Sequence, residues 1–163
     1  MIDLLLMRHA KSDWGQGLAD FDRPLNSRGE EAAEKMGNLL MDEDLCPDYI
    51  ICSGAQRARE TADGVIEGMN YQGELFVTNQ LYLCDIGDFI RVIKRYGGDH
   101  SRLLVIAHNP GTEGFITHLT GQMKHVTTAN IAHIKLPITQ WSEIEKETTG
   151  ELIEFWRPRE PQA

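Results

Sequence analysis

Hydrophobic positions along this chain follow two patterns that take turns. Short continuous apolar runs occur at Leu4-Leu5-Leu6-Met7, Tyr49-Ile50-Ile51-Cys52, Leu75-Phe76-Val77 and Leu103-Leu104-Val105-Ile106-Ala107. Runs of this length without polar alternation predict strands buried on both faces. Between them, apolar residues recur at helical spacing: Ala32, Ala33, Met36, Leu39 and Leu40; then Ala58, Ala62, Val65, Ile66 and Met69; then Phe89, Ile90 and Ile93; and, after Gly111, Phe115, Ile116 and Leu119. Strands alternating with helices predict βαβ units around a largely parallel sheet, with helices on both faces. Ser27 with Glu30 three residues later reads as a capping box opening the first helix. Gly97-Gly98 closes the third. The last part differs. Asn130 to Leu136 and Leu152 to Trp156 read as two strands that extend the sheet, at least one antiparallel, with Trp141 and Trp156 in their core.

At 163 residues and 41% hydrophobic composition, the chain has the size and apolar content of one globular domain spanning residues 1–163. No apolar run approaches membrane-spanning length, and no basic region precedes the first run, so a secretory signal is not expected. The formal net charge of −9 argues against a nucleic-acid partner, although an acidic surface can still focus a small cationic pocket. Cys46, Cys52 and Cys84 form no CxxC pair and read as small buried hydrophobes of a reducing, cytoplasmic compartment.

Three of the apolar runs end in residues of one chemical kind. The first ends in Arg8-His9, the second in Ser53-Gly54 followed by Arg57 at a helix start, and the fourth in His108-Asn109-Pro110-Gly111. In open α/β sheets, ligands bind outside the carboxyl ends of the strands. Parallel, neighbouring strands would therefore bring Arg8, His9, Arg57 and His108 together. Two guanidinium forks and the helix N-termini after Arg57 and Gly111 suit a tetrahedral oxyanion. Arg59 competes with Arg57 for this place. Lys11 and Ser12 belong to the rim, and Asp22, Arg23 and Arg28 read as an ion-pair network beside the site. His100, His118, His125 and His133 match no metal-ligand spacing. A zinc site on His9 and His108 would need a third ligand, and the neighbouring arginines oppose a cation.

These segments resemble the histidine phosphatase superfamily, the phosphoglycerate-mutase-like family, and within it the small SixA-type phosphohistidine phosphatases. The resemblance rests on Arg8-His9-Ala10-Lys11-Ser12; Asp22-Arg23-Pro24-Leu25 with Arg28-Gly29; Ser53-Gly54-Ala55-Gln56-Arg57-Ala58-Arg59-Glu60-Thr61; Ala107-His108-Asn109-Pro110-Gly111; and Trp156-Arg157-Pro158-Arg159-Glu160. It implies a three-layer α/β/α sandwich with a mixed, mostly parallel sheet. It also implies roles: His9 as the nucleophile that becomes phosphorylated, Arg8, Arg57 and His108 as holders of the phosphoryl oxygens, and no metal or cofactor. Where many members read Arg-His-Gly-Glu-Ser, this chain has Ala10 and Lys11. Gly15 stands where mutase-type members often carry Asn, and no catalytic Glu motif appears in Leu81 to Asp88. Asp13, Asp22 and Asp85 are the candidates for a general acid. A phosphoramidate needs such an acid less than a phosphomonoester, because its leaving nitrogen can be protonated beforehand. The expected activity is thus removal of phosphate from phosphohistidine in a protein. The alternatives are a phosphomonoesterase acting on a small metabolite such as a phosphosugar, and a non-catalytic phosphate- or phosphoprotein-binding module on the same fold.

Overall fold

Six strands form one sheet in the order β3-β2-β4-β1-β5-β6. The strands are β1 (Ile2–Arg8), β2 (Tyr49–Ser53), β3 (Leu75–Thr78), β4 (Arg102–Ala107), β5 (Ile131–Leu136) and β6 (Glu151–Trp156). The computed structural model describes residues 1–158. Arg159 and Glu160 of the last resemblance segment lie outside the described residues. Strands β1 to β4 are mutually parallel, β5 runs antiparallel to β1, and β6 antiparallel to β5. The mixed, mostly parallel sheet expected from the pattern is the one observed.

The period of two within the apolar runs divides the core. Leu4 and Leu6, Ile51, and Leu103 and Val105 face one layer with α3 (Ile86–Tyr96) and α4 (Gly111–Thr120). Leu5 and Met7, Ile50 and Cys52, and Leu104 and Ile106 face the other, with α1 (Ser27–Asp42) and α2 (Gln56–Met69). Each face of a strand needs its own cover, which is why the runs are apolar throughout. Helices α1 and α2 pack closely enough that a Cβ on Gly37 would collide with the Val65 carbonyl oxygen.

Three local expectations are corrected. Asn26, not Ser27, caps α1, accepting from the Gly29 amide at 2.8 Å. Ser27 is already the first helical residue, so it lacks the extended backbone from which the Asn26 side chain reaches forward to that amide. Trp156, on the edge strand β6, is only half-buried, whereas Trp141, on a short 3-10 turn in the connection between β5 and β6, is fully buried as expected. The ion pair beside the site joins Arg23 to Asp20 at 3.1 Å, whereas Asp22 and Arg28 are exposed and form no ion pair among the described residues.

Candidate active site

The β1–β4 pairing runs in register from Asp3↔Arg102 to Arg8↔Ala107. His9 and His108 therefore leave adjacent strands at the same level, with ring centroids 5.1 Å apart. Strand β2 pairs with the other side of β4, so Ser53 and the start of α2 arrive beside His108. Arg57, in the first turn of α2, places its Nε 3.4 Å from His9 Nε2. Arg8, His9, Arg57 and His108 line one cavity of about 560 Å³, together with Lys11, Ser12, Asp13, Trp14, Arg23, Asn26, Asn109 and Thr128.

The residues around the motifs hold this geometry. The Ala10 amide donates to Thr61 Oγ1 at 2.9 Å, and that hydroxyl donates to the Arg57 carbonyl at 2.7 Å. One threonine thus ties the loop after His9 to the helix turn that carries Arg57. Glu60 accepts from the Leu25 amide at 2.8 Å. A Cβ on Gly29 would collide with the Lys11 carbonyl oxygen, so only glycine lets α1 approach the His9 loop this closely.

Each cation has a distinct setting. His9 Nδ1 lies 2.7 Å from the Ala10 carbonyl oxygen. A carbonyl can only accept, so Nδ1 carries the proton and Nε2 is left with its lone pair. Burial, reinforced by Arg57, Arg8 and Arg23, holds the His9 pKa down at about 4. Burial, then His9 and Arg57, lowers His108 to about 3. Both rings are therefore neutral at neutral pH. Arg57 donates through Nη1 to the Asp20 carbonyl at 2.6 Å and through Nη2 to Asp20 Oδ2 at 3.0 Å. Arg8 donates to the Val126 carbonyl at 3.0 Å, while its buried Nε has no partner. A lone-pair nitrogen, two guanidiniums and an unpaired buried donor together suit an anion held beside an imidazole nitrogen.

A family model for the Histidine phosphatase superfamily (branch 1) matches residues 4–90. The chain belongs to this superfamily. It is 30% identical over 168 aligned residues to an uncharacterized protein of Mycobacterium leprae, covering 94% of this chain and 100% of that protein. Its fold is similar to that of the protein histidine phosphatase SixA complexed with tungstate: TM-score 0.82, 22% identity, covering 96% of this chain and 97% of that one. It is also similar to a mycobacterial glucosyl-3-phosphoglycerate phosphatase: TM-score 0.68, 14% identity, covering 96% and 98%. The superfamily fold is shared by chains whose names carry different substrates.

The superfamily match extends through Arg8, His9 and Arg57 and stops before His108, which the parallel pairing of β4 with β1 brings back to them. Of the three carboxylates considered as acids, Asp13 alone lines the cavity, where its Oδ2 accepts from Gln16. Asp22 is exposed. Asp85 caps α3 in a reciprocal capping box with Asp88, so its carboxylate is engaged by the Asp88 amide at 2.8 Å. Arg59, the competitor of Arg57, points away and donates to the Gly54 carbonyl and Gln56. Lys11 and Ser12 do line the cavity, and Ser12 accepts from Arg23 Nη1 at 2.8 Å.

Asp20 and Trp14 gave no signal in the sequence. Asp20 lies on a 3-10 turn inside an aperiodic loop and bonds Arg57, Arg23 and Tyr82. The Tyr82 hydroxyl, then Arg57, holds its carboxyl at about 2, so Asp20 stays ionised. Trp14 is 75% exposed and carries the Arg23 guanidinium 3.5 Å above its ring centre. A lone aromatic in a loop gives no periodic signal.

Proposed function

We propose that this superfamily member is a phosphatase that forms a phosphohistidine on His9 and that its substrate is phosphohistidine in a protein. The observation that carries the reading is the hydrogen bond from His9 Nδ1 to the Ala10 carbonyl, which leaves Nε2 as a neutral nucleophile beside Arg57. In the first half-reaction Nε2 attacks phosphorus. A new P–N bond forms while the substrate P–N bond breaks; the substrate imidazole, already protonated from solvent at its other ring nitrogen, takes the bonding electron pair and leaves as neutral imidazole. Water then attacks the phosphorylated His9, releasing phosphate and restoring the imidazole. Arg8, Arg57 and His108 stabilise the charge on the equatorial oxygens in both steps. No step in this reading calls for a metal or cofactor.

Two observations favour a phosphoramidate over a phosphomonoester. Neither His9 nor His108 is bonded to a carboxylate among the described residues. Asp20, bound to Arg57, is held ionised and cannot donate a proton. A protein substrate is favoured by the exposed apolar side chains in the segments flanking the cavity: Trp14 at 75%, Leu18 at 48% and Leu83 at 63%. A reducing, cytoplasmic location belongs to the same reading, supported by three free thiols. The second reading, a phosphomonoesterase on a phosphosugar-type metabolite, is favoured by the likeness to the glucosyl-3-phosphoglycerate phosphatase.

The test compares hydrolysis of a phosphohistidine peptide with that of a phosphosugar panel, by the wild type and by His9→Ala. Preferential turnover of the peptide that is lost in the variant supports the proposal. Preference for a sugar phosphate replaces it with the second reading. Binding of phosphate without turnover of either substrate would make the chain a phosphate-binding module.

A further inference from the structure

We propose that Ser53 is a positioning residue that locks His108 in the tautomer protonated at Nδ1, so that a neutral imidazole presents an N–H donor to the phosphoryl group. What the donor acts on rests on the phosphatase reading above; which tautomer is present does not.

Ser53 ends β2 and is completely buried. Its Oγ lies 2.8 Å from His108 Nε2 and accepts the Ala55 amide at 3.2 Å. His108 is 2% exposed, and its Nδ1 is buried with no partner among the described residues. Two proton arrangements fit these distances. In the first, the Ser53 hydroxyl donates to Nε2 and Nδ1 carries the ring proton. Then Oγ both accepts and donates, Nε2 accepts, and one donor, Nδ1–H, waits for a partner. In the second, Nε2–H donates to Oγ. The hydroxyl proton then has no acceptor, and Nδ1 is left as a buried lone pair. The first arrangement leaves one buried polar group unpaired and the second leaves two, and each unpaired buried group costs its lost hydration.

An anionic guest widens the gap. A phosphoryl oxygen beside an Nδ1 lone pair is repelled, whereas the same oxygen beside Nδ1–H completes the hydrogen bond that the protein leaves open. Double protonation would also give donors at both ends, but His108 shares the cavity with Arg8 and Arg57, and burial already favours the neutral ring. A fixed neutral donor is what such a crowded cationic pocket can hold.

The two histidines then use one tautomer in opposite ways. His9 buries its Nδ1–H against the Ala10 carbonyl and presents the Nε2 lone pair. His108 ties its Nε2 lone pair to Ser53 and presents Nδ1–H. One ring offers electrons and the other a proton, although both are neutral and their centroids are 5.1 Å apart. In the sequence, Ser53 stands in the same short segment as Arg57, so one βα turn supplies both a phosphoryl ligand and the group that orients a second one.

The experiment is two-bond proton–nitrogen correlation on protein labelled with ¹⁵N-histidine, with His108 assigned by its loss in His108→Asn. In the wild type at neutral pH, His108 should show a protonated Nδ1 and an unprotonated Nε2. Added inorganic phosphate should shift the Nδ1 proton downfield without changing the tautomer. In Ser53→Ala the Nε2 signal should move toward a mixture of tautomers, and Ser53→Thr, which keeps the hydroxyl, should restore the wild-type pattern. For whichever phosphorylated substrate the enzyme turns over, Ser53→Ala should lower kcat about tenfold, less than the complete loss of a transition-state donor, and Ser53→Thr should recover most of it. A wild-type His108 protonated at Nε2 overturns the proposal without any variant. So does an unchanged tautomer in a folded Ser53→Ala. If no substrate is turned over but the Nδ1–H tautomer is found, the phosphatase reading fails and the assignment of Ser53 stands.

Discussion

The two ends of β1 carry buried histidine sites of opposite character. At the amino end, Asp3 accepts from His133 at 2.8 Å and lies 3.9 Å from Arg102. At the carboxyl end, His9 stands among Arg8, Arg57 and His108 with no carboxylate among the described residues bonded to it. His9 and His133 are each 7% exposed, so burial does not distinguish them. The partners do. A carboxylate completes His133 as part of the fold, and stacking of its ring on Trp156 covers it further. Arginines and a backbone carbonyl leave His9 uncharged, with Nε2 met only by the long 3.4 Å contact from Arg57 Nε. Arg102 also has an unpaired Nε, but its terminal nitrogens reach the Cys46 carbonyl and Asp3, whereas Arg8 keeps its unpaired donor next to a cavity. On the proposed reading, this difference in partners is what separates a nucleophilic histidine from a structural one.

The comparison breaks most directly by exchanging the outcomes at its two ends. His9→Ala should lower turnover at least about a thousandfold, as loss of a nucleophile does, with an unchanged circular dichroism spectrum. His133→Asn should leave kcat within about threefold and instead cost about 1–3 kcal/mol in urea unfolding, because Asp3 loses its closest partner. If His133→Asn abolishes activity while His9→Ala does not, the two ends have been assigned the wrong way round.

Next in size is Arg57→Ala, expected to lower kcat/KM about a hundredfold through loss of charge stabilisation at the phosphoryl oxygens. Arg59→Ala should stay near wild type, since its donors reach Gly54 and Gln56 and not the cavity. Asp20→Asn should fall between them, about tenfold down, by loosening the clamp that orients Arg57. Steady-state kinetics on the three variants check this order, and equal losses for Arg57 and Arg59 would contradict it.

The smallest effect sharpens the contrast through pH. The folded-state pKa values of His9, about 4, and His108, about 3, lie below the 6.5 of an unfolded histidine. The unfolded chain therefore binds more protons between these values, and stability rises with pH across that window. The contribution is full above about pH 6.5 and is lost progressively as pH falls toward 4 and then 3. Urea titrations of wild type and His108→Asn between pH 7 and pH 4 should show the variant losing less stability on acidification. A steeper loss in the variant would mean that His108 is not held neutral by the fold.

How much of this was legible beforehand follows from the kind of signal each residue leaves. Strands β1, β2 and β4 were readable because a strand covered on both faces must be apolar at every position, and the three polar ends stood out against that background. The cap of α1 was misplaced by one residue because Asn26 and Ser27 have equally suitable side chains, and backbone direction alone decides which one can reach the Gly29 amide. Asp85 was a candidate acid because it stands in the segment where the resemblance calls for a catalytic Glu, yet its place at the start of α3 makes it a cap.

The sequence by itself determined the alternation of strand and helix, the position of Arg8, His9, Arg57 and His108 at or just after the ends of the apolar runs, and the resemblance those motifs carry. Local composition and motif order carry such information, since each depends on residues near one another in the chain. Tertiary structure alone decided that Asp20 orients Arg57, that Thr61 ties the His9 loop to α2, that Asp3 completes His133, and that Ser53 meets His108. These contacts join residues from 37 to 130 positions apart. Hydrogen-bond partners at such separations follow from strand order and register, which no local pattern encodes; they engage Nε2 of His108 and of His133, whereas His9 takes its Nδ1 partner from its chain neighbour Ala10.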